Sequence, residues 1–137
     1  MEQTEAQARQ LMDYFATHPQ ATIRYYALEI ILNIHYDASY LSESRARSRT
    51  AENYFLGSIP RIGEPISING AIYVHSGILK FVVTSAAEAE LGALFLNAKA
   101  GNILRTILEE LGHAHPPTPI HCDNLTAIGI ANDTVKK

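Results

Sequence analysis

The chain has 137 residues, of which 47% are hydrophobic and 18% charged, with a formal net charge of −3. That length and balance suit one domain with its own core. The charge lacks the basic excess of a general nucleic-acid binder, so a nucleic-acid partner would have to be met by a local patch or through bound metal. The single cysteine, Cys122, excludes an internal disulfide and a cysteine-based zinc site. No stretch is long and apolar enough to cross a bilayer, and "MEQTEAQARQ" is not signal-like. The expectation is an intracellular protein, cytoplasmic or nuclear, with no membrane partner.

Residues 3–16 read as a short amphipathic helix with Ala6, Leu11, Met12 and Phe15 on its apolar side. Pro19 ends it by disfavouring helix at His18. Residues 21–39 follow, with Leu28, Ile30, Leu32 and Ile34 in the two-residue period of a half-buried strand. Asp37 falls at the end of that strand. "YLSESRARSR" reads as a polar turn carrying Arg45, Arg47 and Arg49. "NYFLGSIP" is a second short strand closed by Pro60, "RIGEPISING" is turn-rich, and "AIYVHS" is a third strand. "ILKFVV" either continues that strand or leads into the next helix.

A long helix is predicted over residues 85–111, with Gly101 and Asn102 as candidate points for a kink or break. "GHAHPPTP" stops it with a glycine followed by prolines. "TPIHCDN" is a short fourth strand, "NLTAIGIAND" a short helix, and residues 134–137 a polar end. Strands interleaved with helices in this order make one α/β domain.

The start of the long helix, "SAAEAELGALFLNA", carries two glutamates one residue apart. With Ser85 as N-cap, Glu88 stands at the third helical position and completes a capping box. Ser85 accepts from the Glu88 amide, and the Glu88 carboxylate reaches back to the Ser85 amide. A negative charge also suits the positive helix end. Glu90, turned about 200° away, points among Ala86, Ala87, Leu94 and Leu108. A carboxylate on a core-facing side needs a partner. The alternatives are a salt bridge, with Arg105 as candidate, or a bound cation.

Two further acids bear on that choice. Asp37 is either a turn aspartate or a ligand at a strand end; Asp123, in "IHCDN", is either a helix N-cap or a ligand at a strand-to-helix junction. Sites in open α/β sheets gather near the carboxyl ends of strands. Three convergent carboxylates would make a hard-oxygen site suited to Mg²⁺ or Mn²⁺.

"HYDASYLSESRARSR", "SAAEAELGALFLNA" and "LEELGHAHPPTPIHCDNLTAIGIAN", in that order, resemble the ribonuclease H region of copia-type LTR retrotransposon polyproteins. The resemblance runs from about residue 8 to residue 135. Residues 1–20 would be an N-terminal helix from the tail of the reverse transcriptase connection, and residues 21–137 the ribonuclease H-like domain. The resemblance implies an α/β fold with a mixed sheet and packed helices. It implies cleavage of the RNA strand of RNA/DNA hybrids with two divalent ions, Mg²⁺ or Mn²⁺. It also implies a reverse transcriptase portion of the same polyprotein as partner. Carried over by motif, the catalytic and metal-holding residues would be Asp37, Glu90 in "EAEL" and Asp123 in "CDN", leaving Ser85 and Glu88 as a structural cap. Arg45, Arg47 and Arg49 are either a phosphate-binding patch or a solvated turn.

The sequence also departs from that family. Its fourth acidic residue belongs to a segment beyond Lys137 that also supplies the last strand and helix. The expectation is therefore a C-terminally truncated domain with weak or no activity, whose uncovered sheet invites self-association. Asp133 precedes that segment and does not take the role. Ala51 and Glu52 stand where relatives often have a glycine pair, and Ser76-Gly77-Ile78-Leu79 where many have Ser-Lys-Lys-Gln. Tyr36 precedes Asp37 where a small residue is more usual. The alternative function is a non-catalytic ribonuclease H-like module for packing or partner binding. No histidine pair has metal-ligand spacing on one helix face, and no glycine-rich phosphate loop is present.

Overall fold

The computed structural model describes residues 2–134. Apart from Thr134, the polar end expected over residues 134–137 lies outside them. In chain order the elements are helix α1 (Glu2–Thr17), strands β1 (Ile31–Glu43), β2 (Arg47–Gly57) and β3 (Ala71–Ile78), helix α2 (Ala86–Glu110), strand β4 (Ile120–His121) and helix α3 (Leu125–Ala131). The fold is α/β. The sheet order is β3-β2-β1-β4, with β1, β2 and β3 antiparallel in turn and β4 parallel to β1.

Helix α1 matches its predicted span, but Leu11, Met12 and Phe15 remain exposed. Its amphipathic pattern is real and its apolar side is left without cover.

The first strand starts later and ends later than the apolar alternation predicts. Ile30 has a left-handed φ of 58°, which interrupts extended backbone just before Ile31. Upstream, Tyr25 and Tyr26 are tied to the start of β3: the Tyr25 hydroxyl donates to the Ala71 carbonyl at 2.9 Å, and the Tyr26 amide donates to Asn69 Oδ1 at 2.9 Å. Downstream, β1 runs on through the segment read as a polar turn. The β1–β2 ladder pairs Ile31 with Gly57 through to Ser39 with Arg49, is interrupted by a bulge, and closes at Glu43 with Arg47. The turn itself is confined to residues 44–46, where Arg45 and Ala46 have φ of 62° and 52°. The three-residue connection thus holds two consecutive left-handed residues, here without the usual Asn or Gly. The second strand therefore begins at Arg47, well before the predicted "NYFLGSIP".

Helix α2 packs on one face of the sheet. Leu32, Ile34 and Tyr54 from the sheet meet Leu108 from α2 in a shared core cluster. Leu79, Val83 and Ala89 form a second cluster near the helix start. Gly101 does not break the helix, which is continuous from Ala86 to Glu110. A Cβ at Gly101 would stand 2.5 Å from Ile34 Cδ1, so this glycine lets helix and sheet approach closely. The helix ends as its sequence predicts: Gly112 has φ of 93°, its amide donates to the Glu109 carbonyl, and the His113 amide donates to the Leu108 carbonyl. These two bonds are the Schellman pattern.

No helix among the described residues is long and apolar enough to cross a membrane.

Candidate metal centre

Three separate elements bring the acids together. Asp37 lies within β1, opposite Ala51 of β2, and not at a strand end or turn. Glu90 comes from the second turn of α2. Asp123 sits between β4 and α3, but Asn124 and not Asp123 caps that helix: Asn124 Oδ1 accepts from the Ala127 amide at 3.0 Å. Arg105 is not the partner of Glu90. It binds Glu109 one turn on, at 2.9 Å, and the His115 carbonyl at 3.1 Å. The structural alternatives are thus removed: Asp37 lies inside a ladder, Asn124 takes the cap and Glu109 takes Arg105.

One carboxylate oxygen from each of Asp37, Glu90 and Asp123 lies within 4.8 Å of the others, a group that can hold a metal ion. Glu90 is only 4% exposed, whereas Asp37 and Asp123 are exposed. Among the described residues no ion pair reaches Glu90. Its Oε1 accepts from the Ala38 amide at 3.3 Å, and its Oε2 accepts from the Cys122 thiol at 3.7 Å. Burial raises the Glu90 pKa above the usual carboxylate value, and the Asp37 charge adds to the rise. A buried carboxylate with two acids beside it and no cation is the chemistry that a divalent ion would complete.

The glutamate two residues earlier behaves differently. Ser85 Oγ accepts from the Glu88 amide at 3.1 Å, as the capping box requires. The Glu88 carboxylate, however, reaches Thr84, accepting from its amide at 2.6 Å and its hydroxyl at 2.7 Å. The predicted bond to the Ser85 amide is replaced by one a residue further out, because Thr84 offers two donors together. These bonds hold Glu88 below the usual carboxylate range.

The arginines do not form one free patch. Arg47 Nε donates to the Ser44 carbonyl, and Arg49 Nε pairs with Glu43 at 2.6 Å. Arg45 is exposed at the turn tip and makes no ion pair among the described residues. Glu52, which could have repelled a nucleic-acid backbone, is buried and lies 3.2 Å from His75 Nδ1.

Two residues of the site escape a reading based on acids alone. Tyr36 and Cys122 each precede a site aspartate; alternation on β1 turns Tyr36 towards α2, and the Cys122 thiol reaches Glu90 on that helix. Tyr36 is 7% exposed, and its hydroxyl is buried without a hydrogen-bond partner. Burial raises its pKa, and the Cys122 thiol and the Glu90 and Asp123 carboxylates push the same way. On the other side of the sheet, the His35 and His121 rings meet at a tilt of 54° with centres 4.5 Å apart. They line an open cavity of about 1020 Å³ together with Asp37, Asn53, Val74 and Asp123.

Comparison with protein-family models, with curated proteins and with solved structures finds no match to this chain.

Proposed function

We propose that this chain is a ribonuclease H-like domain of retroelement type that cleaves the RNA strand of RNA/DNA hybrids with Mg²⁺ or Mn²⁺. The observation that carries this reading is the convergence of Asp37, Glu90 and Asp123 from three elements onto one point, with oxygens within 4.8 Å. The residues fit hard divalent ions: all three donors are carboxylates, and the buried one lacks a cation. Bound ions would supply Lewis acidity at the scissile phosphate.

The chain's own groups prepare that chemistry. The Ala38 amide and the Cys122 thiol fix the Glu90 carboxylate from two sides. Exposed Asp37 and Asp123 face solvent, where a phosphodiester backbone can approach. Arg45, exposed at the hairpin tip, would be the arginine to meet a phosphate, while Arg47 and Arg49 are held in local bonds. Selection of RNA over DNA would rest on contacts to the 2′-hydroxyl. With three carboxylates in the cluster and Arg47 and Arg49 held in local bonds, turnover should be weak.

The test is incubation of the chain with an end-labelled RNA/DNA hybrid, with Mn²⁺, Mg²⁺ or chelator, beside Asp37→Asn. Metal-dependent cutting of the RNA strand alone, lost in the variant, is the expected result. Absence of cutting at high protein concentration refutes it.

A second reading, a module for packing or partner binding, draws on the surface. The accessible area is 10113 Å², against roughly 7,100 Å² for a compact chain of this mass. Val74 on the open sheet face and Leu11, Met12 and Phe15 on α1 are among the exposed apolar residues. Such surface suits either a second copy or the reverse transcriptase portion of a polyprotein. Sedimentation that shows only monomer at high concentration would refute self-association.

A further inference from the structure

The two edges of the sheet differ. One is β4, only two residues long. The other is β3, which runs for eight residues from Ala71 to Ile78. Short strands, charges and prolines keep edges from pairing with other chains. β3 has none of these protections: it contains no Asp, Glu, Lys, Arg or Pro. Tyr73 and Val74, on opposite faces, are 43% and 66% exposed. The chain as a whole exposes 10113 Å², about 3,000 Å² more than a compact chain of its mass, where a stable dimer needs about 800 Å² from each copy.

The phase of the ladder shows which backbone groups are open. The Leu79 amide donates to the Ser48 carbonyl at 2.9 Å, one pair beyond Arg49 and Ile78 in the β2–β3 register. Bonded and non-bonded pairs alternate in an antiparallel ladder. Tyr73, His75 and Gly77 therefore bond to β2, and the N–H and C=O groups of Val74, Ser76 and Ile78 point away from the sheet. Among the described residues no backbone bond outside the ladder reaches them. The start of the strand is closed: the Tyr25 hydroxyl takes the Ala71 carbonyl, and the Tyr25 ring lies against Gly70. The open edge is thus the second half of β3, with Ser76 at its middle.

We propose that β3 pairs antiparallel with β3 of a second copy of this chain, about a two-fold axis at Ser76. The proposal rests on the partner-binding reading and not on hybrid cleavage. The strand is self-complementary in this register. Ser76 faces its own counterpart, the apolar Val74 faces Ile78, and His75 faces Gly77. All the outward groups of Val74, Ser76 and Ile78 then find partners, as open strand edges require. An axis at His75 would oppose two imidazoles, and one at Val74 would run the second copy into Tyr25. The axis stands perpendicular to the sheet, so both α2 helices share one face of an eight-stranded sheet. Asp37 is in register with Ala51, and Ala51 with Ser76. The two Asp37 residues therefore lie on one line through the axis, five strand spacings or about 24 Å apart.

Sedimentation velocity of the full chain should show a monomer–dimer equilibrium. Ser76→Pro removes an outward N–H and leaves the bonds to β2 intact. It should weaken the dimer at least about tenfold. Val74→Lys, which puts no strain on the backbone, should weaken it too by placing a charge on the edge. Mild oxidation reads the register directly. Facing bonded residues have Cα atoms about 5.5 Å apart, within disulfide range, so Ser76→Cys should cross-link the two copies. Val74→Cys should not, because its counterpart lies four residues along the strand, about 14 Å away. The unmodified chain, with Cys122 alone, gives the background. A chain that stays monomeric at high concentration overturns this interface and self-association together. A dimer that survives both Ser76→Pro and Val74→Lys, or equal cross-linking of the two cysteine variants, overturns the β3 interface alone and moves the contact to another surface.

Discussion

Replacing Glu90 by glutamine should stabilise the metal-free protein at neutral pH. Glu90 faces two acids with oxygens no more than 4.8 Å apart. At that distance two unit charges repel by about 3.5 kcal/mol at an effective dielectric of 20, and by about 0.9 kcal/mol in water. Asp37 and Asp123 are exposed, which brings each pair close to the lower figure. Two such pairs involve Glu90, so neutralising it should gain about 1–2 kcal/mol. That corresponds to a rise of about 4–8 °C in melting temperature for a domain of this size. The glutamine oxygen still accepts from the Ala38 amide, and the bond given up is only the long one from the Cys122 thiol at 3.7 Å. The Glu90 pKa is raised in the folded state. Its contribution to stability is therefore fully present below the ordinary value of 4.5, and is lost as pH rises through the higher folded value. The gap between wild type and variant should close in acid and open towards neutrality. A divalent ion at about a hundred times its dissociation constant adds about 2.7 kcal/mol to the protein that binds it. Mg²⁺ or Mn²⁺ should therefore reverse the order, raising wild type above the variant. Thermal denaturation in chelator and in metal, across that pH range, reads all of this. A variant that melts below wild type in chelator at neutral pH, or a wild type that divalent ions leave unmoved, would refute the reasoning.

Two glycines of α2 should respond oppositely to alanine. Gly92→Ala meets Phe81 Cζ, but Phe81 is 45% exposed and can swing away, so the helix-propensity gain of up to about 1 kcal/mol should survive. Gly101→Ala meets Ile34, which is fully buried, and should lose about 1 kcal/mol after the same gain is subtracted from overpacking; urea denaturation of both variants checks the difference in sign. Tyr54→Phe removes the hydroxyl that donates to Asn97 Oδ1 at 3.0 Å inside the core and should cost about 1–3 kcal/mol by the same assay, because a buried acceptor is left without its donor. If Tyr54→Phe proves neutral, the Tyr54–Asn97 pair is not a determinant of this core.

Much of the fold was legible where local chemistry decides it. Ser85, Gly112 and the prolines after it fix both ends of α2 from side-chain and backbone preferences alone. The β1–β2 hairpin was legible only in part. Its turn at Arg45 and Ala46 lacks the Asn or Gly that signals left-handed backbone, so the polar segment read as a loop. The ladder on either side forces the turn, with Glu43 paired to Arg47 and bonded to Arg49. Gly101 misled for a related reason. A glycine in a helix reads as a weak point, yet here the contact with Ile34, far away in sequence, requires it.

The site shows where the period of a strand helps and where it stops. Alternation on β1 assigns Tyr36 to the helix face and Asp37 to the other, which on its own would separate Asp37 from Glu90. The carboxylates nevertheless converge, because Glu90 sits near the start of α2 and its Oε1 is held by the amide of Ala38, the residue after Asp37. Which side chains carry the structural bonds is therefore decided by neighbours that no spacing rule includes. Asn124 takes the cap that Asp123 was free to take, Glu109 takes Arg105, and Thr84 takes the second bond of Glu88. Glu90 is a buried carboxylate that no cation reaches among the described residues. With Asp37 and Asp123 beside it, that carboxylate is where a divalent ion would offset the most buried charge.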